Sequence, residues 1–187
     1  MNAQESLSRL KEGNSRFANG NRNTPSVDSE KLGSLTGGQA PYAIILSCAD
    51  SRVAPELAFD TGIGEIFIIR VAGNVANTSS VASIEYAIAH LGTKLIVVMG
   101  HESCGAVGAA IAGGDNGPNL NTLLSYITPS VEKCGADAPM EDVINENASH
   151  AAKELMSKSA IISNAVNNEG VEIVTAYYNL GTGKVDF

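Results

Sequence analysis

Two short segments concentrate the residues that can do chemistry: Cys48-Ala49-Asp50-Ser51-Arg52 and Gly100-His101-Glu102-Ser103-Cys104-Gly105. Cys48, His101 and Cys104 offer a thiolate, an imidazole and a second thiolate, a donor set that suits Zn2+. A structural zinc site takes a fourth Cys or His. The remaining candidates, Cys134, His90 and His150, stand beside neither segment and in no short paired spacing. Three protein ligands with the fourth position open is the catalytic arrangement. Spacing alone is met equally well by a buried cysteine at each strand end and a satisfied core histidine.

Asp50 and Arg52 weigh against that plainer reading. They lie two and four residues past Cys48, where alternate side chains of a loop can face one cleft. An Arg beside a carboxylate forms a charge-assisted pair that keeps the acid ionised and fixes its direction. Such a carboxylate can accept a hydrogen bond from a water or hydroxide in the open position, or take that position itself. The alternative is a surface ion pair, worth little. Glu102 and Ser103 sit inside the second segment with no role assigned. Gly62-Ile63-Gly64 and Gly105/Gly108 lack the spacing of a dinucleotide loop, and no Cys-x-x-Cys redox pair is present.

These segments need strands to position them. Tyr42–Ser47, Glu65–Arg70, Leu95–Met99 and Val171–Tyr178 are short, nearly continuous apolar runs, as in strands buried on both faces. Ser79–Leu91 carries Val81, Ile84, Ile88 and Leu91 on one helical face and ends at Gly92. A helix from about Leu120 is expected to stop at Pro129, and another to run from about Met140 towards Val166. The alternation predicts an α/β fold: a central, mainly parallel β-sheet of about four strands plus a short C-terminal edge strand, flanked by helices. Both chemical segments then follow the carboxyl ends of strands at the same end of the sheet, where ligands bind in such folds.

Residues 1–40 read as an N-terminal helical arm and loop ahead of the rest of a single domain spanning 1–187. Ala3, Leu7, Leu10 and Phe17 have helical spacing, with Asn2 and Glu5 placed as a capping pair. Residues 20–40 read mostly as loop. The arm has no obvious place on its own sheet, and charged residues make up only 17% of the chain, so a partner subunit is expected to cover some surface.

A formal charge of −8 with scattered Lys and Arg argues against nucleic acid and against an acidic membrane as partners. The apolar stretches are too short to span a bilayer. The opening MNAQESLSRLKEGNSRF lacks the apolar region of a secretory signal, and three cysteines without a disulfide framework fit a reducing compartment. A cytoplasmic location is expected.

CADSRVAPE at 48–56 and GHESCGAV at 100–107 resemble the two signatures of the β-carbonic anhydrases, Cys-x-Asp-x-Arg and His-x-x-Cys. LKEGNSRF, RVAGN at 70–74, IEYAIAHLG at 84–92 and the closing YYNLGTGKVDF are similar too, so the likeness runs over essentially the whole chain. The resemblance implies a zinc lyase that reversibly hydrates carbon dioxide to bicarbonate and a proton by zinc-bound hydroxide. It implies Cys48, His101 and Cys104 as ligands, Asp50–Arg52 as catalytic dyad, and Asp50 on the metal only in a closed state. It further implies a substrate pocket at Gln39, Phe67, Ala72, Tyr86 and the Gly105 backbone, and assembly as a homodimer or homotetramer with the arm across the neighbouring subunit. Phe67 and Tyr86 also fit ordinary core packing.

Two positions depart from the family pattern: Val71 where Asn is usual, and Ala49 where Ser is common. Relatives with a bicarbonate switch carry a Trp three residues before the first ligand. This chain has Ile45 there and no Trp, although Arg70 matches the switch's basic member. The expectation is therefore an open site, with Asp50 paired to Arg52 at neutral pH. A carbon disulfide or carbonyl sulfide hydrolase on the same scaffold is the alternative enzyme. A non-enzymatic zinc-binding protein would not need the Asp50–Arg52 pair.

Overall fold

The computed structural model describes every residue of the chain except 24 and 26. Its frame is one sheet of β1 (Ala43–Ser47), β2 (Ile66–Arg70), β3 (Leu95–His101), β4 (Glu172–Tyr178) and β5 (Val185–Asp186). The order is β2-β1-β3-β4-β5, with the first four strands parallel and β5 antiparallel to β4. Strands β1 and β3 are buried along their whole length, which is why their sequences are apolar without alternation.

Helices cover both faces: α1 (Ala3–Ala18), α2 (Ser29–Ser34), α3 (Pro55–Ala58), α4 (Thr78–Leu91), α5 (Gly105–Ala112), α6 (Pro118–Leu124), α7 (Thr128–Cys134), α8 (Met140–Lys158) and α9 (Ala160–Asn168). Ile44, Leu46, Ile96 and Val98 pack against α4, α8 and α9. Ala43, Ile45, Leu95, Val97 and Met99 face α1 and Phe59 on the other side. Among the described residues, no helix is long and apolar enough to cross a membrane.

The α1 capping pair forms as expected. Asn2 Oδ1 accepts the Glu5 N–H and Glu5 Oε2 accepts the Asn2 N–H, each at 2.9 Å. Its placement corrects the expectation, because α1 lies on the sheet of its own chain. Ala3, Ser6, Leu10, Gly13 and Asn14 form its buried stripe. A Cβ at Gly13 would stand 1.9 Å from the Phe59 carbonyl oxygen. Asn14 Nδ2 donates to the Ala58 and Gly183 carbonyls at 2.9 and 2.8 Å, and its Oδ1 accepts the Val185 N–H at 2.8 Å. Buried Asp60 adds an ion pair to Arg16 at 2.6 Å. Leu10 fills the core as its spacing predicts, while Ser6, Gly13 and Asn14 complete the contact in a way that hydrophobic spacing does not report.

Three helix boundaries also differ. Pro129 opens α7 rather than closing a helix, since the first turn does not need the N–H that proline lacks. The long helix after Met140 breaks at Ser159, which leaves helical geometry and caps α9 by accepting the Ile162 N–H at 3.0 Å. Within 20–40, the chain forms the exposed helix α2 behind an Asp28 cap. Gly92 ends α4 in the left-handed conformation, as expected.

Candidate metal centre

The register aligns Ser47 of β1 with Met99 of β3, so Cys48 and His101 emerge from the carboxyl ends of adjacent central strands. His101 is the last residue of β3, one turn of chain before α5. Ser103 between them takes φ = +55°, a conformation non-glycine residues rarely adopt, and this folds Cys104 back beside His101. Cys104 is the N-cap of α5, where free N–H groups favour a thiolate. The ends of β1 and β3 and the N-cap of α5 thus deliver three buried donors whose ligand atoms all lie within 4.8 Å of one another. Two sulfurs on one tetrahedral zinc stand about 3.8 Å apart, so a small inward shift would seat the ion.

The surrounding bonds fit a metal. His101 Nδ1 lies 2.9 Å from the Glu102 carbonyl oxygen, which requires the proton on Nδ1. Among the described residues, its fully buried Nε2 has no hydrogen-bond partner. An orphaned imidazole nitrogen between two thiols costs free energy unless a cation takes its lone pair. The Gly73 N–H donates to Cys48 Sγ at 3.4 Å, from a turn of 3₁₀ helix at Ala72–Asn74. Val75, Val107, Leu124, Ile127, Val143 and Ile144 pack around the two cysteines.

The electrostatics point the same way. The Cys104 side chain draws the Cys48 thiol far below its ordinary range, while the hydrogen bond to Cys48, with burial, pushes Cys104 up. Burial opposes a charge on the His101 ring, but the Cys48 sulfur beside it outweighs burial and the net direction is upward. A site that pulls a proton onto its imidazole is one that welcomes a cation.

Asp50 and Arg52 form the forked pair. Arg52 Nε donates to Oδ1 at 3.0 Å, Nη2 to Oδ2 at 2.8 Å, and the Arg52 N–H to Oδ1 at 2.9 Å. Arg52 holds the Asp50 carboxyl well below the usual carboxylate range. Asp50 Oδ2 lies 3.9 Å from His101 Nε2 and outside the three-donor cluster. Arg70 braces the loop, donating from Nε to the Cys48 carbonyl at 3.0 Å and from Nη2 to the Asp50 carbonyl at 2.6 Å.

Of the remaining pocket residues, Ala72 and Gly105 lie next in sequence to Gly73 and Cys104, beside the cluster. Phe67 and Tyr86 meet each other, with ring centroids 6.2 Å apart, and Tyr86 stacks on His90 at 5.1 Å. Phe67 is registered with Ile44, four residues before Cys48 and about 13 Å along the strand. Gln39 is exposed and precedes the amino end of β1, the end of the strand opposite the metal cluster. Sequence reasoning missed the contacts of Gly73 and Glu102, which depend on partners far along the chain. The Gly73-Asn74 step after an apolar strand was the only local signal.

Residues 43–185 match the family model described as carbonic anhydrase. Carbonic anhydrase 2 of Mycobacterium tuberculosis is 38% identical over 181 residues, covering 94% of this chain and 87% of that protein. The carbonic anhydrase of Mycolicibacterium smegmatis is 38% identical over 184 residues, covering 95% and 89%. A tetrameric β-carbonic anhydrase from Sordaria macrospora superimposes with a TM-score of 0.74 at 26% identity, over 98% of this chain and 94% of that one. The Coccomyxa β-carbonic anhydrase in complex with acetazolamide gives 0.72 at 27% identity, over 96% and 85%. With fold, donor cluster and relatives agreeing along nearly the whole chain, this protein belongs to the β-class carbonic anhydrases, a family of lyases.

Proposed function

We propose that the chain holds one zinc ion through Cys48 Sγ, His101 Nε2 and Cys104 Sγ and reversibly hydrates carbon dioxide to bicarbonate and a proton. The observation that carries this reading is the unpartnered, buried His101 Nε2 between two thiols, with an Arg-held carboxylate 3.9 Å away. When bound, zinc supplies a Lewis acid that brings the pKa of a water towards neutrality.

The chain's own groups do the rest. Asp50, kept ionised by Arg52, accepts a hydrogen bond from the attacking water or hydroxide and aims its free lone pair at the carbon of the substrate. Asp50 remains with Arg52 and outside the donor set, consistent with buried Ile45 where a switch would need an aromatic ring. The apolar wall around the cysteines suits a small uncharged substrate and raises the value of each charge inside it. The protein acts in the cytoplasm, where its three free cysteines stay reduced.

The working form is a homodimer or homotetramer. Strand β2 is a sheet edge whose Ile66, Phe67, Ile68 and Ile69 are only half-buried, and Tyr86 beside it is 47% exposed. A second copy on this edge would cover them and bring its own Gln39 towards the cleft. Metal analysis of Cys104→Ser and His101→Ala tests the ligand set. Loss of zinc from the about one equivalent in the wild type is expected in both, and full retention in both would rule it out.

A further inference from the structure

Glu102, the residue after the proposed histidine ligand, is held at three points. Its N–H donates to the Tyr178 carbonyl at 2.9 Å, extending the β3–β4 ladder by one step. Its carbonyl oxygen faces His101 Nδ1 at 2.9 Å. Its carboxylate Oε2 accepts the N–H groups of Leu180 and Gly181, at 2.8 and 3.2 Å.

Those two amides belong to a turn that is itself firmly tied. Asn179 Oδ1 accepts the Thr182 N–H at 2.9 Å, and the Gly183 carbonyl accepts from buried Asn14 of α1. A carboxylate with two backbone donors makes strong charge-assisted bonds. The residue just beyond, Ser103, occupies the left-handed region, so the peptide joining 102 to 103 stays in place only while its surroundings hold it.

We infer that Glu102 is a positioning residue for zinc: its side chain anchors the β3–α5 turn to the β4–β5 turn, and this fixes the carbonyl that keeps the His101 proton on Nδ1 and its Nε2 lone pair on the metal. The inference rests on the proposed zinc site. Partners that orient a ligating histidine are worth roughly 10- to 100-fold in metal affinity. A residue that merely tied down the C-terminal turn would alter unfolding but not the hold on zinc.

The test measures zinc release from the loaded protein into excess chromogenic chelator, well below the unfolding temperature, for wild type, Glu102→Ala, Glu102→Gln and Ser159→Ala. The last removes the α9 cap and serves as a stability control remote from the site. Glu102→Ala is expected to release zinc about 10-fold faster or more. Glu102→Gln, which keeps one acceptor oxygen, should recover most of that loss, and Ser159→Ala should match wild type. Release from Glu102→Ala at the wild-type rate, or equally fast release from Ser159→Ala, overturns the inference. If Glu102→Ala does not fold, Glu102→Asp, whose shorter side chain withdraws the carboxylate from the two amides, decides: faster hydrogen exchange at Leu180 and Gly181 together with faster zinc release supports it, and faster exchange with unchanged zinc release overturns it. Wild type holding no zinc would instead refute the metal site itself.

Discussion

Replacing Gly73 by alanine strikes the turn that hydrogen-bonds Cys48. The residue has φ = +70°, which costs an alanine about 1–2 kcal/mol. The added Cβ would lie 2.6 Å from Ile127 Cδ1 and 3.3 Å from Ala106 Cβ, an overlap worth about 1–3 kcal/mol in a packed core. The sum is a loss of roughly 2–5 kcal/mol. Ile127→Val removes the nearest methyl and by itself costs about 0.5–1.5 kcal/mol. In the double variant the overlap largely disappears while the backbone strain remains, so the two changes must couple favourably by about 1–2 kcal/mol. Urea unfolding of wild type, both single variants and the double variant measures this, at fixed zinc and protein concentration because ligand and assembly shift the midpoint. A Gly73→Ala loss below about 0.5 kcal/mol, or strict additivity with Ile127→Val, would refute the packing described here.

Other outcomes follow from the same geometry. Asp50→Asn and Arg52→Ala should keep zinc and lose hydration activity by about 100-fold or more in stopped-flow assays; near wild-type turnover in both would make the pair structural. Arg52 depresses the Asp50 pKa, so the pair is formed above the ordinary carboxylate pKa and is lost only as pH falls through the lower folded value. Activity should therefore decline smoothly from pH 8 to 6 without a break from Asp50, and steep, bicarbonate-dependent inactivation in that range would contradict an open site. Light scattering at micromolar concentration should give at least a dimer, since β2 leaves four apolar residues half-covered; a monomer would contradict that.

How far the chain could be read without coordinates depends on the kind of contact. Strands β1 and β3 are apolar along their whole length because both faces are buried, and the two chemical segments follow directly from their ends. Capping by Asn2 and the left-handed Gly92 are local and equally legible. The docking of α1 is only half legible: Ala3 and Leu10 show a face to bury, but Ser6, Gly13 and Asn14 complete the contact, and the fit of Gly13 and Asn14 appears only against Phe59 and Gly183. Ser159 interrupts a helix whose apolar spacing runs on through it, so periodicity alone joins α8 to α9. Glu102 acts through Leu180 and Gly181 and Gly73 through Cys48, and local patterns hardly mark pairs so far apart in the chain. Gln39, Phe67 and Tyr86 came from resemblance, and within one chain they do not gather at the cysteines.

Stopped-flow carbon dioxide hydration, followed through zinc removal by chelator and stoichiometric zinc return on the same folded sample, bears most directly on a zinc-dependent hydratase. About one zinc per chain, loss of turnover with the metal and recovery on its return are predicted. Undiminished hydration by protein stripped of zinc, or no hydration by protein carrying a full equivalent, would contradict it.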